Sequence, residues 1–189
     1  YYHNYLASVN VHKRIVQAEK EGYDGVVIAC YGDPGIEGAK ELVDIPVVGI
    51  TEASYALARM LSTKFLLVVS AASAVPRQIR YIKSLGISDF QYDVRPIGLT
   101  VLGVMSDRMS AKDLIANNCE IALKETGSEL IVMGCSGFSG LRADLEKQLN
   151  IPIIDPVVAG VQVCNTLIQM GLAQSKVSTY KTPPVFDIK

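Results

Sequence analysis

The chain lacks a surplus of either charge, since 18 Lys and Arg face 19 Asp and Glu for a formal net charge of -1. That balance leaves no electrostatic footprint for a nucleic acid or an anionic membrane surface. Nor does any apolar run reach the roughly 20 residues that span a bilayer. Histidine is scarce, with His3 and His12 only, and neither stands beside a cysteine. The four cysteines, Cys30, Cys119, Cys135 and Cys164, lack the close spacing of zinc or redox pairs. No metal site is therefore expected, and reduced thiols in a cytoplasmic enzyme are the simplest reading.

What the chain has is apolar material and an internal echo. Hydrophobic residues make up 49% of its 189 positions and mean hydropathy is +0.26, enough for one large domain or two small ones with buried cores. A shift of 105 positions brings GVVIACYGDPG at 25 to 35 into register with residues 130 to 140 of ELIVMGCSGFSG, the stretch at 129 to 140. Gly22 then matches Gly127, Cys30 matches Cys135, Gly32 matches Gly137 and Gly35 matches Gly140. One residue further along, Ile45-Pro46-Val47-Val48 parallels Ile151-Pro152-Ile153-Ile154.

Short, continuously apolar runs alternate with helical patterns, which predicts an α/β fold with parallel sheets. Strands are expected at Val26–Cys30, Ile45–Ile50, Phe65–Ser70, Tyr92–Ile97, up to Cys135 and at 151 to 154. Helices are expected over 3 to 22, from Asp33 as N-cap with Pro34 at the first helical position to Val43, and from Thr51 to Leu61. Others run from Pro76 to Gly86, Ser110 to Thr126, Leu141 to Leu149 and Val157 to Met170, with a loop from Gly98 to Asp107 and an extended tail. Because 29 residues precede Cys30 and about 70 separate Phe65 from Cys135, the echo leads one to expect about 40 residues of strand, helix and strand ahead of Tyr1.

The chemistry follows from two thiols at equivalent strand ends. Ligands of open α/β sheets bind at the carboxyl ends of strands, and the helix N-termini that follow lower a thiol pKa. Small residues there (Gly32, Ser136, Gly137) let a ligand approach the backbone. If the halves face each other across a cleft, one thiolate removes a hydrogen next to a carbonyl and the opposite thiol returns a proton to the other face. That is racemisation without a cofactor. Backbone amides at the turns would hold the developing negative charge. Cys119 and Cys164, inside helices, read as core residues. Asp33 is open between helix cap and catalytic group, Thr51 and Glu52 between helix start and cleft wall, and Tyr31 between pocket lining and packing. A small-molecule binding protein with idle cysteines, and a thiol redox enzyme, are the alternatives from other classes.

At ACYGDPG with VVGITEAS, and GCSGFSG with PIIDPVVAG, the sequence resembles the Asp/Glu/hydantoin racemase superfamily, and within it the hydantoin and allantoin racemases. The resemblance covers nearly the whole chain. Aspartate and glutamate racemases differ, typically with Asn-Thr after the first cysteine, although an amino-acid racemase stays a second reading. Arylmalonate decarboxylases keep only the second cysteine. The resemblance implies two pseudo-symmetric Rossmann-like domains, 1–60 plus 163–189 and 61–162, with the active site in the cleft between them. It implies no cofactor, a hydantoin-like small-molecule substrate and catalytic Cys30 and Cys135. The substrate-holding groups map onto Tyr31, Gly32 and Asp33, onto Thr51, Glu52 and Ala53, and onto Ser136, Gly137 and Phe138. A homo-oligomer is the expected assembly. The family's N-terminal strand with its Asn-Pro-Asn motif, which helps form the site, is not in this sequence, so part of the pocket is unassigned.

Overall fold

The computed structural model of the chain describes residues 2–184, without the side chains of Phe90, Val101 and Met105. It divides into two compact units, Tyr1–Ala53 with Gly160–Lys189, and Ser54–Ala159. The first unit carries α1 (Tyr2–Lys20), β1 (Val26–Ile28), α2 (Ile36–Leu42), β2 (Val47–Gly49) and the start of α3 (Ile50–Leu61). Beta-branched runs with no polar alternation suit strands buried on both faces, and β1 and β2 pair in parallel, Val26 opposite Val47 and Ile28 opposite Gly49. Ile15 of α1 and Ile36, Ala39 and Val43 around α2 close over Ile28 and Val47 to form its core. Gly22, at φ 83°, stops α1 in the left-handed conformation that glycine adopts without strain.

The second unit carries the rest of α3, then β3 (Phe65–Val69), α4 (Val75–Ser84), β4 (Tyr92–Pro96), α5 (Val101–Ser106), α6 (Arg108–Thr126), β5 (Leu130–Met133), α7 (Arg142–Leu149), β6 (Ile153–Ile154) and the start of α8 (Pro156–Met170). Its sheet is parallel throughout, in the order β4-β3-β5-β6. Leu66, Val68, Ile131 and Met133 share a core with Ile115 of α6 and Leu145 of α7.

The echo is a structural repeat. Val27 pairs with Val48 in the first sheet, and their counterparts Val132 and Ile154 pair in the second. The counterpart of α2 is α7 and that of α3 is α8, while Gly127 stops α6 at φ 66° as Gly22 stops α1. Among the described residues, β3 and β4 have no counterpart in the two-stranded sheet.

Several boundaries differ from the expected ones. The loop from 98 to 107 contains α5, because Thr100 accepts the Gly103 N–H at 3.0 Å and so caps a helix turn. Likewise α6 starts at Arg108, its N-cap Asp107 accepting the Ser110 N–H at 3.0 Å. β1 ends at Ile28, so Ala29 and Cys30 lie beyond it.

The tail is held against the first unit. The Gln174 amide donates to the carbonyls of Val43 (2.7 Å) and Ile45 (2.8 Å), and its oxygen accepts the Val47 N–H at 3.2 Å. The Lys176 ammonium donates to the α2 carbonyls of Lys40 and Glu41 at 2.8 and 2.9 Å, as a cation at a helix C-terminus should. Gln174→Ala leaves three backbone groups without these partners and is expected to cost about 1–3 kcal/mol in urea unfolding; an unchanged midpoint would show the tail contributes nothing.

Candidate active site

Two residues past β1 the chain turns sharply, with the Cys30 carbonyl accepting the Asp33 N–H at 3.0 Å. Gly32 sits at φ 114°, where a side chain would be strained, and Asp33 follows at φ 44°. The turn leaves Cys30 exposed at the strand end while Tyr31 and Asp33 are buried.

Asp33 does not cap the helix that follows it. Gly35, left-handed at φ 74°, occupies the N-cap position of α2. The Asp33 carboxylate instead accepts the N–H groups of Thr51 (3.0 Å) and Glu52 (2.9 Å) in the first turn of α3. The reason lies at Gly49, which precedes α3 and has no side chain to cap it. A Cβ on Gly49 would overlap the Asp33 carboxyl, so the glycine opens the space that Asp33 fills. Glu52 completes the cap by accepting the Gly49 N–H at 3.1 Å, and its other oxygen pairs with Lys40 at 2.7 Å. Thr51 ties α3 to the turn, its Oγ1 accepting the Gly32 N–H at 2.6 Å. Burial raises the Asp33 pKa from 3.8 to about 6 against the opposing pull of its hydrogen bonds from Thr51 and Glu52. One network thus gathers Cys30, Gly32, Asp33, Thr51 and Glu52, with Ala53 buried on α3 next to them.

In the second unit Cys135 stands just past β5 as the N-cap of a short 3₁₀ turn, Ser136–Phe138. Burial pushes the thiol up, while hydrogen bonds to its sulfur from the Gly137 N–H, the Ser70 hydroxyl and the Phe138 N–H favour the thiolate. Ser70 is placed by strand register. Val68 of β3 pairs with Met133 of β5, and two steps further along each strand are Ser70 and Cys135. The Phe138 ring is fully buried in the core, so its backbone, not its side chain, serves the cysteine.

The loop after Cys135 is held by Asp155. This buried carboxylate accepts the Ser139 hydroxyl at 2.9 Å and the Gly140 N–H at 2.9 Å. As the residue before α8, it also accepts the N–H groups of Val157 and Val158 at 3.0 and 3.3 Å. Residue-type reasoning passed over Ser70, Gly49 and Asp155. An Asp directly before Pro156 is a readable cap signal, whereas Ser70 has meaning only once β3 and β5 are neighbours.

Cys119 and Cys164 are buried, Cys119 in the core with its pKa pushed up to about 12. Among the described residues no cluster of His, Cys, Asp and Glu could hold a metal, and no helix is long and apolar enough to cross a membrane.

The chain, with its parallel α/β units that each carry a cysteine just past a strand, belongs to a family of racemases: the family model described as Asp/Glu/Hydantoin racemase matches residues 3–164. The chain is 37% identical over 183 residues to the hydantoin racemase of Pseudomonas sp. (strain NS671), covering 97% of this chain and 74% of that protein. It is 39% identical over 176 residues to the hydantoin racemase of Rhizobium meliloti, covering 90% and 71%. The solved allantoin racemase from Klebsiella pneumoniae superposes with a TM-score of 0.93 at 34% identity, over 98% of this chain and 76% of that one.

Proposed function

We propose that the chain is a cofactor-independent racemase of 5-monosubstituted hydantoins, allantoin included, in which Cys30 and Cys135 move a proton between opposite faces of the stereocentre. One thiolate forms an S–H bond with the departing proton, and the C–H electron pair passes into the neighbouring carbonyl as an enolate. The opposite thiol then gives its proton to the other face of that carbon. The reverse reaction exchanges the roles, which is why both groups are of one kind. Burial that pushes the Cys135 thiol up suits it to hold the proton to be delivered, with Cys30 as base. For the other enantiomer the donors around the Cys135 sulfur favour the thiolate that is then needed.

The observation that carries this reading is the doubled strand, thiol and turn unit with the same strand pairing in each copy. The substrate would lie over the two turns, against Tyr31, Gly32, Ser136, Gly137 and the Phe138 backbone, with Thr51, Glu52 and Ala53 beside it. Asp33, its carboxylate engaged with α3, would hold the turn. The protein would act in the cytoplasm as a homo-oligomer.

A polarimetric screen of full-length protein with single enantiomers of 5-alkyl and 5-aryl hydantoins, allantoin, aspartate and glutamate tests the reading. Optical rotation should decay to zero with at least one hydantoin or allantoin and persist with the free amino acids. Turnover of aspartate or glutamate alone would overturn the substrate class, and no turnover of any would overturn the activity.

A further inference from the structure

Both units tie the cysteine-bearing turn to the N-terminus of the helix after the next strand, and both use one buried carboxylate to do it. The carboxylate comes from opposite ends of the tie. In the first unit it belongs to the turn, as Asp33, and the position before the helix is the bare Gly49. In the second it belongs to the position before the helix, as Asp155, and the loop offers the Ser139 hydroxyl and the Gly140 N–H. The step of 106 that carries β2 onto β6 and α3 onto α8 also carries Gly49 onto Asp155.

The two solutions exclude each other within a unit, because even a Cβ at Gly49 would run into the Asp33 carboxyl. The first turn also needs outside support. Asp33 at φ 44° is in a region sparsely populated by residues other than glycine, and such a conformation persists only where its surroundings over-determine it.

We infer that Asp33 and Asp155 are positioning residues, each fixing the turn that follows a reactive cysteine against a helix N-terminus, and that Asp33 with Gly49, and Ser139 (one position past the counterpart of Asp33) with Asp155, are interchangeable forms of one device. Neither carboxylate needs to touch substrate. Their effect is the placement of Cys30 and Cys135, and a misplacement of about 1 Å is enough to cost about a hundredfold in turnover. The kinetic part of this inference rests on the two-thiol reading above; the placement of the thiols does not.

The test exchanges one form for the other. Asp33→Ser, Gly49→Asp and the double variant Asp33→Ser/Gly49→Asp are compared for kcat, KM and the rate at which iodoacetamide alkylates each cysteine, resolved by peptide mass. Each single change is expected to lower kcat by about a hundredfold with much less effect on KM. It should alter the alkylation rate of the exposed Cys30 and leave that of Cys135, in the other unit, as in the unaltered protein. The double variant puts the carboxylate where the second unit has it, and should return kcat and the Cys30 rate to within about threefold of the original. A double variant as impaired as Asp33→Ser overturns the inference, as does an Asp33→Ser protein with unaltered kcat and Cys30 reactivity. If a single variant does not fold, Asp33→Asn, which keeps one acceptor oxygen, takes its place: a shifted Cys30 rate upholds the inference and an unaltered one refutes it. Should the unaltered protein racemise nothing, alkylation rates rescued in the double variant still uphold the positioning device while the proposed function falls.

Discussion

Replacement of Cys30 or Cys135 by serine is expected to abolish measurable net racemisation, with a fall of about 10⁴-fold for either change alone, the upper end for a general acid–base group. The size follows from the chemistry. A serine hydroxyl is too weak an acid to give up its proton to a planar intermediate at neutral pH, and its conjugate base is not populated enough to start the reaction. On the proposed two-thiol path, losing either thiol breaks both directions, because every turnover would use one group as base and the other as acid. Cys119→Ser and Cys164→Ser supply the contrast. Cys119 lies in the core of the second unit and Cys164 donates to the Val26 carbonyl at 3.9 Å, so both changes should cost about 1–2 kcal/mol of stability while leaving the rate unaltered.

The second large effect is on stability and comes from Asp33. Its carboxyl titrates at about 6 in the fold, against 3.8 when unperturbed, with burial as the leading cause. A carboxyl with a raised pKa binds its proton more tightly in the folded state, so its contribution to stability is fully present below about 3.8 and lost as pH rises through about 6. At 1.36 kcal/mol per unit, that gap corresponds to about 3 kcal/mol. Asp33→Asn removes the titration. The stability of the unaltered protein minus that of Asp33→Asn, from urea unfolding, should therefore rise by about 2 kcal/mol between pH 7.5 and pH 4. A difference that is flat, or falls with decreasing pH, would mean that the Thr51 and Glu52 hydrogen bonds outweigh burial.

The Asp33 case also marks where sequence reading runs out. The repeat was legible because strand, cysteine, turn glycine and helix recur in order, and recurrence needs no knowledge of distant contacts. The same holds for the α/β class and the parallel sheets, which rest on short apolar runs alternating with helical ones. Asp33 followed by Pro34 is a good local signal for a helix cap, yet the carboxylate caps another helix. What redirects it is the missing side chain of Gly49, 16 positions along the chain, and a gap of that kind has no local pattern. Ser70 was invisible for the same reason: only the pairing of β3 with β5 brings it to Cys135. In α5 the reading failed in the opposite sense, because Gly98 and Gly103 looked like loop residues while Thr100 was an adequate cap.

The claim that each thiol serves one face of the substrate is tested most directly by deuterium exchange at the α carbon. Removal of that hydrogen needs only the thiolate on its own side and a base that exchanges with solvent, so it survives the loss of the opposite thiol. Cys30→Ser and Cys135→Ser, each incubated in deuterated water with the separate enantiomers of a racemised hydantoin, should each exchange one enantiomer without inverting it. The enantiomer exchanged by one variant should be the one left untouched by the other, and Cys30→Ser/Cys135→Ser should exchange neither. Exchange of the same enantiomer by both single variants, or racemisation by either at the unaltered rate, would contradict the assignment of Cys30 and Cys135 to opposite faces.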